Sequence, residues 1–172
     1  MSYPTSALLA VIILCATQLP AQTAAPIPAP ILAARKVFIA NAGADALVSA
    51  LDRGNDASAK YYNQFYAAMK NWSYYELLSS PADADLVLEI YASAPVESVS
   101  NGKSRLQPQF QVSIFDCKTH FLLWRLTESV DAFEPGTFGG VKNSAGSKFD
   151  TAVDGIIRQL KTLTAPSTRP NK

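Results

Sequence analysis

The chain has 172 residues, a length that fits one domain. Hydrophobic residues make up 48% and charged residues 17%, which excludes a wholly disordered, collagen-like or coiled-coil protein. The 15 basic and 14 acidic residues leave a formal charge of +1, too small to draw the protein onto nucleic acid or an anionic membrane.

The N-terminal segment has the pattern of a secretory leader. No charged side chain precedes Arg35, and residues 7–16 form an unbroken apolar run. This run is shorter than the roughly 20 residues that a membrane-spanning helix needs. The proline and small residues after it are typical of a cleavage region. The sequence therefore predicts a signal peptide over residues 1–25 and a protein that is secreted or periplasmic after cleavage.

The segment after the leader alternates proline with small or apolar residues. We interpret residues 26–34 as an extended linker, residues 35–164 as a single domain and residues 165–172 as a disordered tail. Cys15 lies inside the apolar run without the small residue that precedes a lipid-modified cysteine, so we expect no lipidation. Cys117 is then the single cysteine of the mature chain, which leaves no internal disulfide.

The first half of the domain predicts strands around one long helix. Residues 37–39 are typical of a strand, and residues 44–58 of a loop with one helical turn. Two further strands are expected at residues 75–78 and 84–92. Between the first strand and these two strands, apolar residues recur at spacings of three and four, which predicts an amphipathic helix of about four turns. Its stripe is Tyr62, Phe65, Met69 and Trp72.

The second half predicts two hairpins and a closing helix. Asn101-Gly102 is a strong turn signal. In residues 109–114 and 121–130 apolar and polar side chains alternate, which predicts two strands around a turn at 116–120, with Trp124 on the apolar side. The final helix carries a stripe of Phe149, Val153, Ile156, Ile157, Leu160 and Leu163. Gly155 lies inside this helix at a cost of about 1 kcal/mol relative to alanine, so we expect it to mark a close contact with the sheet.

These elements predict an α+β two-layer sandwich in the order β-α-β-β-β-β-α, with a mostly antiparallel sheet and both helices on one face. Residues 72–78, 82–89 and 113–124 resemble segments of the TolB N-terminal, CsgG and LpoB-type envelope domains. The resemblance covers about residues 36–163 and concerns topology and pattern. It implies an exported bacterial protein of the cell envelope, similar to a family of uncharacterised secreted bacterial proteins, that works through protein contacts and without catalytic residues.

Catalytic chemistry has few candidates. His120 is the only histidine, so a catalytic triad, a Cys-His dyad or a multi-histidine metal site would have to use it. It lies in a predicted turn three residues after Cys117, where a solvated turn residue is the simpler interpretation. Two acidic pairs are interpreted as turn and surface residues, Asp83 with Asp85 and Asp52 with Asp56. We therefore expect no catalytic residues, no metal site and no cofactor.

Aromatic residues are the candidate contacts for a partner. Tyr61 and Tyr66 lie on the first helix, which cannot bury all its tyrosines at once. Phe133 and Phe138 lie in the glycine-rich loop 131–146, where rings are hard to bury. The first hypothesis is an exported, non-enzymatic domain of the envelope or periplasm that binds another protein or peptide. The alternative is a small secreted hydrolase that uses His120 or acidic residues.

Overall fold

The computed structural model describes residues 25–51, 57–99, 103–130 and 144–165. The chain begins with α1 (Ala29–Ala33), β1 (Lys36–Ala44), α2 (Ala46–Leu51) and α3 (Ala57–Trp72). Strands β2 (Glu76–Leu78) and β3 (Leu86–Ser93) follow, separated by one 3-10 turn at Pro81–Asp83. The remaining elements are β4 (Val96–Val99), β5 (Lys103–Leu106), β6 (Gln109–Asp116), β7 (Leu122–Ser129) and α4 (Ser144–Thr164).

Five strands form one mixed sheet in the order β2-β1-β3-β6-β7. Strand β1 pairs in parallel with β2 and β3, since α3 carries the chain back between β1 and β2. The pairs β3–β6 and β6–β7 are antiparallel. Strands β4 and β5 form a separate antiparallel hairpin. The predicted order of the main elements and the β6–β7 hairpin are confirmed. The flanking strands β3 and β6 do not extend into the first hairpin as expected, because β4 and β5 form a sheet of their own; these two strands, α1 and α2 are short additions to the predicted order.

Helices α3 and α4 cover one face of this sheet. The rings of Tyr61 and Phe149 stack between the two helices, with centroids 4.2 Å apart. Beneath them the alternating side chains of the central strands are buried: Val37, Ile39, Leu86, Leu88, Ile90, Phe110, Val112 and Ile114. The predicted α+β architecture with two layers is confirmed, because each amphipathic element buries its single apolar side against the other layer.

The buried side of α3 differs from the predicted one. Its buried side chains are Ala57, Tyr61, Phe65 and Met69. The predicted stripe began at Tyr62, which instead is half-buried and stacks on Tyr66 with centroids 6.0 Å apart. Tyr61 and Tyr62 both have a helical spacing to Phe65, and contact with Phe149 of α4 selects Tyr61.

Residues 29–34 belong to the domain, so the predicted extended linker is wrong in this part. Helix α1 holds Pro30 in its first turn, where the missing N–H costs no helical hydrogen bond. Ile31 and Ala34 are 1% and 2% exposed and pack in the core. The alternation of prolines with small residues fits a short helix start as well as an extended spacer.

Several expectations fall on residues outside those described. They are the signal peptide before residue 25, most of the loop after β7 and the tail after residue 165. Helix α4 begins at Ser144 and therefore takes in the last residues of the predicted loop. In the described part of the chain, no helix is long and apolar enough to cross a membrane.

A pair of neighbouring substitutions tests whether α1 belongs to the core. We expect Ile31→Ala to lower the free energy of unfolding by about 2–5 kcal/mol, because it removes a buried side chain and leaves a cavity. Leu32→Ala, at a position 43% exposed, serves as the control and should stay within about 0.5 kcal/mol. Denaturant melts of the two variants measure the difference. Equal effects would contradict the placement of α1.

Candidate binding surface at the edge of the sheet

Strand β7 forms one edge of the sheet, and among the described strands it pairs with β6 alone. The amide of Val130 donates to the carbonyl of Pro108 at 2.8 Å, which fixes the phase of the β6–β7 ladder. In an antiparallel pair, residues that bond to the neighbouring strand alternate with residues whose N–H and C=O point away from it. The outward main-chain groups of β7 are therefore those of Arg125, Thr127 and Ser129.

A groove of about 730 Å³ runs beside this edge, between β7 and α4. Its apolar lining comes from Trp124 and Leu126 of β7, Leu163 of α4 and Ile27. Trp124 lies on the helix-facing side of the sheet, as its alternation predicted. It is half-buried because the groove exposes part of the ring.

One carboxylate lies in this groove. Glu128 of β7 is half-buried and rests against α4 at Gly155. A Cβ at position 155 would stand 2.5 Å from Cδ and 2.7 Å from Cγ of Glu128. The amide nitrogen of Gln159 donates to Glu128 Oε2 at 2.5 Å and makes a longer contact of 3.4 Å with the carbonyl of Thr127. The prediction that Gly155 marks a close contact with the sheet is confirmed.

The other face of the sheet carries a row of apolar side chains that crosses all five strands. Strand register aligns Leu78, Phe38, Val87, Phe115 and Leu122 in this row. Leu122, at the β7 end, is 46% exposed, and Phe121 beside it is 71% exposed. The exposed β7 end of this row and the groove thus lie at the same edge strand.

The β6–β7 turn is built from ordinary turn chemistry. Asp116 Oδ1 accepts hydrogen bonds from the amides of Thr119 at 2.7 Å and Lys118 at 3.0 Å, and these bonds lower the pKa of Asp116. His120 is exposed with φ 60°, and Cys117 Sγ donates to the carbonyl of Pro81 at 3.0 Å. Cys117 is therefore held by a main-chain carbonyl.

The acidic pair at residues 83 and 85 serves the start of two strands. Asp85 Oδ2 accepts from the amides of Arg35 at 2.8 Å and Lys36 at 2.9 Å, and so joins the beginning of β1 to the beginning of β3. These two bonds lower the pKa of Asp85. Asp83 lies exposed on the 3-10 turn. Asp52 and Asp56 lie outside the described residues, and those described contain no group of three metal-ligating side chains.

A stacked aromatic column closes the far end of α3. Trp72 stacks on Tyr74 with centroids 5.0 Å apart, and both rings meet Tyr75 edge-on. Arg35 lies 5.9 Å from the centroid of Tyr74, and Lys161 lies 5.8 Å from that of Trp72. Burial raises the pKa of Tyr75 to about 12. The two cations lie at the two ends of the column, and Tyr74 remains 38% exposed.

The residues predicted to contact a partner differ in how exposed the structure leaves them. Tyr61 is 2% exposed, so the prediction that it offers a partner surface is wrong, because its ring fills the space between the two helices. Tyr66 is half-buried, and its role stays a prediction. Phe133 and Phe138 lie outside the described residues. Glu128 carries no signal of its own in the sequence, whereas Gly155, the residue it lies against, points to this place.

The fold is similar to that of PelC from Paraburkholderia phytofirmans. A single-residue variant of PelC shares 13% identity over 80% of this chain and 95% of its own, with a TM-score of 0.51. A second PelC structure gives 13% identity, 80% and 93% coverage and a TM-score of 0.51. Both are described as dodecamers. Protein XCC0632 from Xanthomonas campestris shares 12% identity over 78% of this chain and 86% of its own, with a TM-score of 0.49.

These similarities establish the fold alone, because the identities are low. No protein-family model matches the chain, and no curated protein does.

The Asp85 bonds predict a pH-dependent contribution to stability. Because the pKa of Asp85 is lowered by the Arg35 and Lys36 amides, the contribution is present above the unfolded-state pKa of about 4 and is lost as the pH falls through the folded-state value. We expect Asp85→Asn to cost less than about 1 kcal/mol at pH 7, since the group is exposed. Denaturant melts at pH 7 and in acid should show this difference vanish in acid, with Asp83→Asn as the control.

A double-mutant cycle tests the contact between Gly155 and Glu128. Alone, Gly155→Ala must push the Glu128 carboxylate away from Gln159, which offsets the gain in helix propensity. With Glu128→Ala present, the same substitution should stabilise the protein by about 1 kcal/mol. Denaturant melts of the four proteins measure the coupling. Additive effects would show that the side chain does not lie against this glycine.

Proposed function

We propose that this protein is an exported, non-enzymatic domain that binds another protein, and that the partner docks at the β7 edge. The observation that carries the proposal is an eight-residue edge strand with three outward-facing residues beside a groove with apolar walls. Natural proteins shorten, charge or cover such edges because an unpaired strand associates with other chains.

The two edges of the sheet differ in a way that favours β7. Strand β2 forms the opposite edge and has three residues, which is too short to template another strand. Strand β7 has eight residues, and apolar surface lies beside it both in the groove and at Leu122. A protein partner can satisfy main-chain groups and cover apolar surface together, which a small molecule cannot do over this length.

The described acidic groups support a binding role over hydrolysis. Hydrolysis by paired carboxylates needs two acids that face each other across a cleft. Asp85 and Asp116 instead accept hydrogen bonds from main-chain amides at strand ends. Cys117 donates to a carbonyl, and His120 lies in an exposed turn.

Export rests on the leader pattern of residues 1–25. The resemblance of residues 72–78, 82–89 and 113–124 to segments of TolB N-terminal, CsgG and LpoB-type domains supports a role at the bacterial envelope. The PelC structures with the same fold are dodecamers, so association of this chain with itself is the competing outcome that an experiment must separate.

Site-specific photocrosslinking in living cells tests the proposal. A benzophenone amino acid at Thr127 should give one adduct of discrete mass that contains a different protein. The same probe at Ala67, exposed on the outer side of α3, serves as the control and should give none. An adduct of two copies of this chain, or equal adducts from both positions, would contradict the proposal. So would the absence of any adduct from Thr127.

A further inference from the structure

We propose that the partner contributes an extended segment that adds to β7 as a sixth strand and places a lysine or arginine beside Glu128. This rests on the proposed function and specifies how the partner is recognised. The partner segment is identified by its chemistry: an extended backbone with an apolar and a basic side chain two positions apart.

The main-chain groups of β7 require an extended backbone. Arg125, Thr127 and Ser129 direct their N–H and C=O groups away from β6, at every second residue along the edge. A strand meets such groups in register, whereas a helix has used its own main-chain groups internally. The contact of 3.4 Å between Gln159 and the carbonyl of Thr127 is long, so this carbonyl keeps its capacity to accept a stronger bond.

The side chains of the added strand alternate between two environments. Those opposite Leu126 and Glu128 enter the groove, while those opposite Thr127 lie on the other face of the sheet. The position beside Leu126 is apolar because Trp124 and Leu163 also line the groove. The neighbouring groove position, two residues along, faces the Glu128 carboxylate.

The charge of Glu128 selects a cation at that position. Its hydrogen-bond donor is the neutral amide of Gln159, and no cation lies within 4.0 Å of it among the described residues. Arg158 lines the groove but is exposed. A half-buried carboxylate without a positive partner attracts a basic side chain more strongly than a fully solvated one does.

A second copy of β7 does not supply this cation. When two β7 edges add to each other in the antiparallel sense, residues with outward main-chain groups pair with one another, so Glu128 would lie opposite an even-numbered residue of the other copy. From Trp124 to Val130 these residues are Trp124, Leu126, Glu128 and Val130, none of which is basic. Arg125 is on the opposite face. An antiparallel second copy of β7 therefore leaves Glu128 without a cation, and we assign the partner segment to a different sequence.

Peptide titrations test both parts of the proposal. The probes are two synthetic ten-residue peptides that alternate threonine with valine and carry either Lys or Glu in place of one central valine. Titration of the full-length mature protein, followed by amide NMR shifts, should perturb Arg125, Thr127 and Ser129. The Lys peptide should bind about tenfold more tightly than the Glu peptide. In Glu128→Gln this preference should disappear.

Substitutions on the edge separate strand addition from other contacts. Thr127→Pro removes an outward amide that the β6–β7 ladder does not use, so the protein should keep its fold and lose peptide binding. Thr127→Val keeps the amide and should bind as the wild type does. Retained binding in Thr127→Pro, equal binding of the two peptides, or amides at 125, 127 and 129 protected from hydrogen exchange in the free protein would overturn the proposal.

The two proposals fail in different ways. A benzophenone probe at Ser129 should lose its adduct with the partner protein when Thr127→Pro is introduced. Persistence of that adduct would refute the added strand and leave the proposed function standing. Loss of specific adducts from the Thr127 probe in the otherwise unchanged protein would refute the proposed function itself.

Discussion

The ring contact between Tyr61 and Phe149 holds the two long helices side by side on one face of the sheet. With the helices in this position, α3 packs on β1 and β3, and α4 packs on β6 and β7. One buried core therefore serves four strands, and β2 is a three-residue edge whose half-buried Leu77 packs against that core. Because α4 lies above β7, the groove forms at the β7 edge of the sheet, opposite the β2 edge.

Gly155 sets how α4 and β7 meet. A side chain there would collide with Glu128, whose carboxylate would then leave the groove and lose its bond to Gln159. The same helix supplies Leu163 to the apolar lining of the groove. The groove, its charge and its lining thus depend on the close approach of one helix to one strand.

Sequence periodicity was sufficient for the order and type of the main elements, because each has one apolar side. It could not decide which strand lies at an edge. The alternation of apolar and polar residues around Trp124 and Leu126 shows that one face of the strand is buried, but it does not show which strands lie beside it. It also placed Tyr62 on the buried side of α3, because the choice of Tyr61 depends on Phe149 more than 80 residues away. The short helix α1 was missed because its prolines are compatible with two conformations.

A glycine in the interior of a helix lowers stability, and so does a carboxylate at the boundary of the core. Glycine at position 155 costs about 1 kcal/mol relative to alanine. Half-burial of Glu128 adds a desolvation cost that one neutral hydrogen-bond donor offsets in part. The carboxylate makes the glycine necessary, because Glu128 can lie in the groove only where position 155 has no Cβ. Two unfavourable choices that meet at one point beside an edge strand are typical of a site kept for binding.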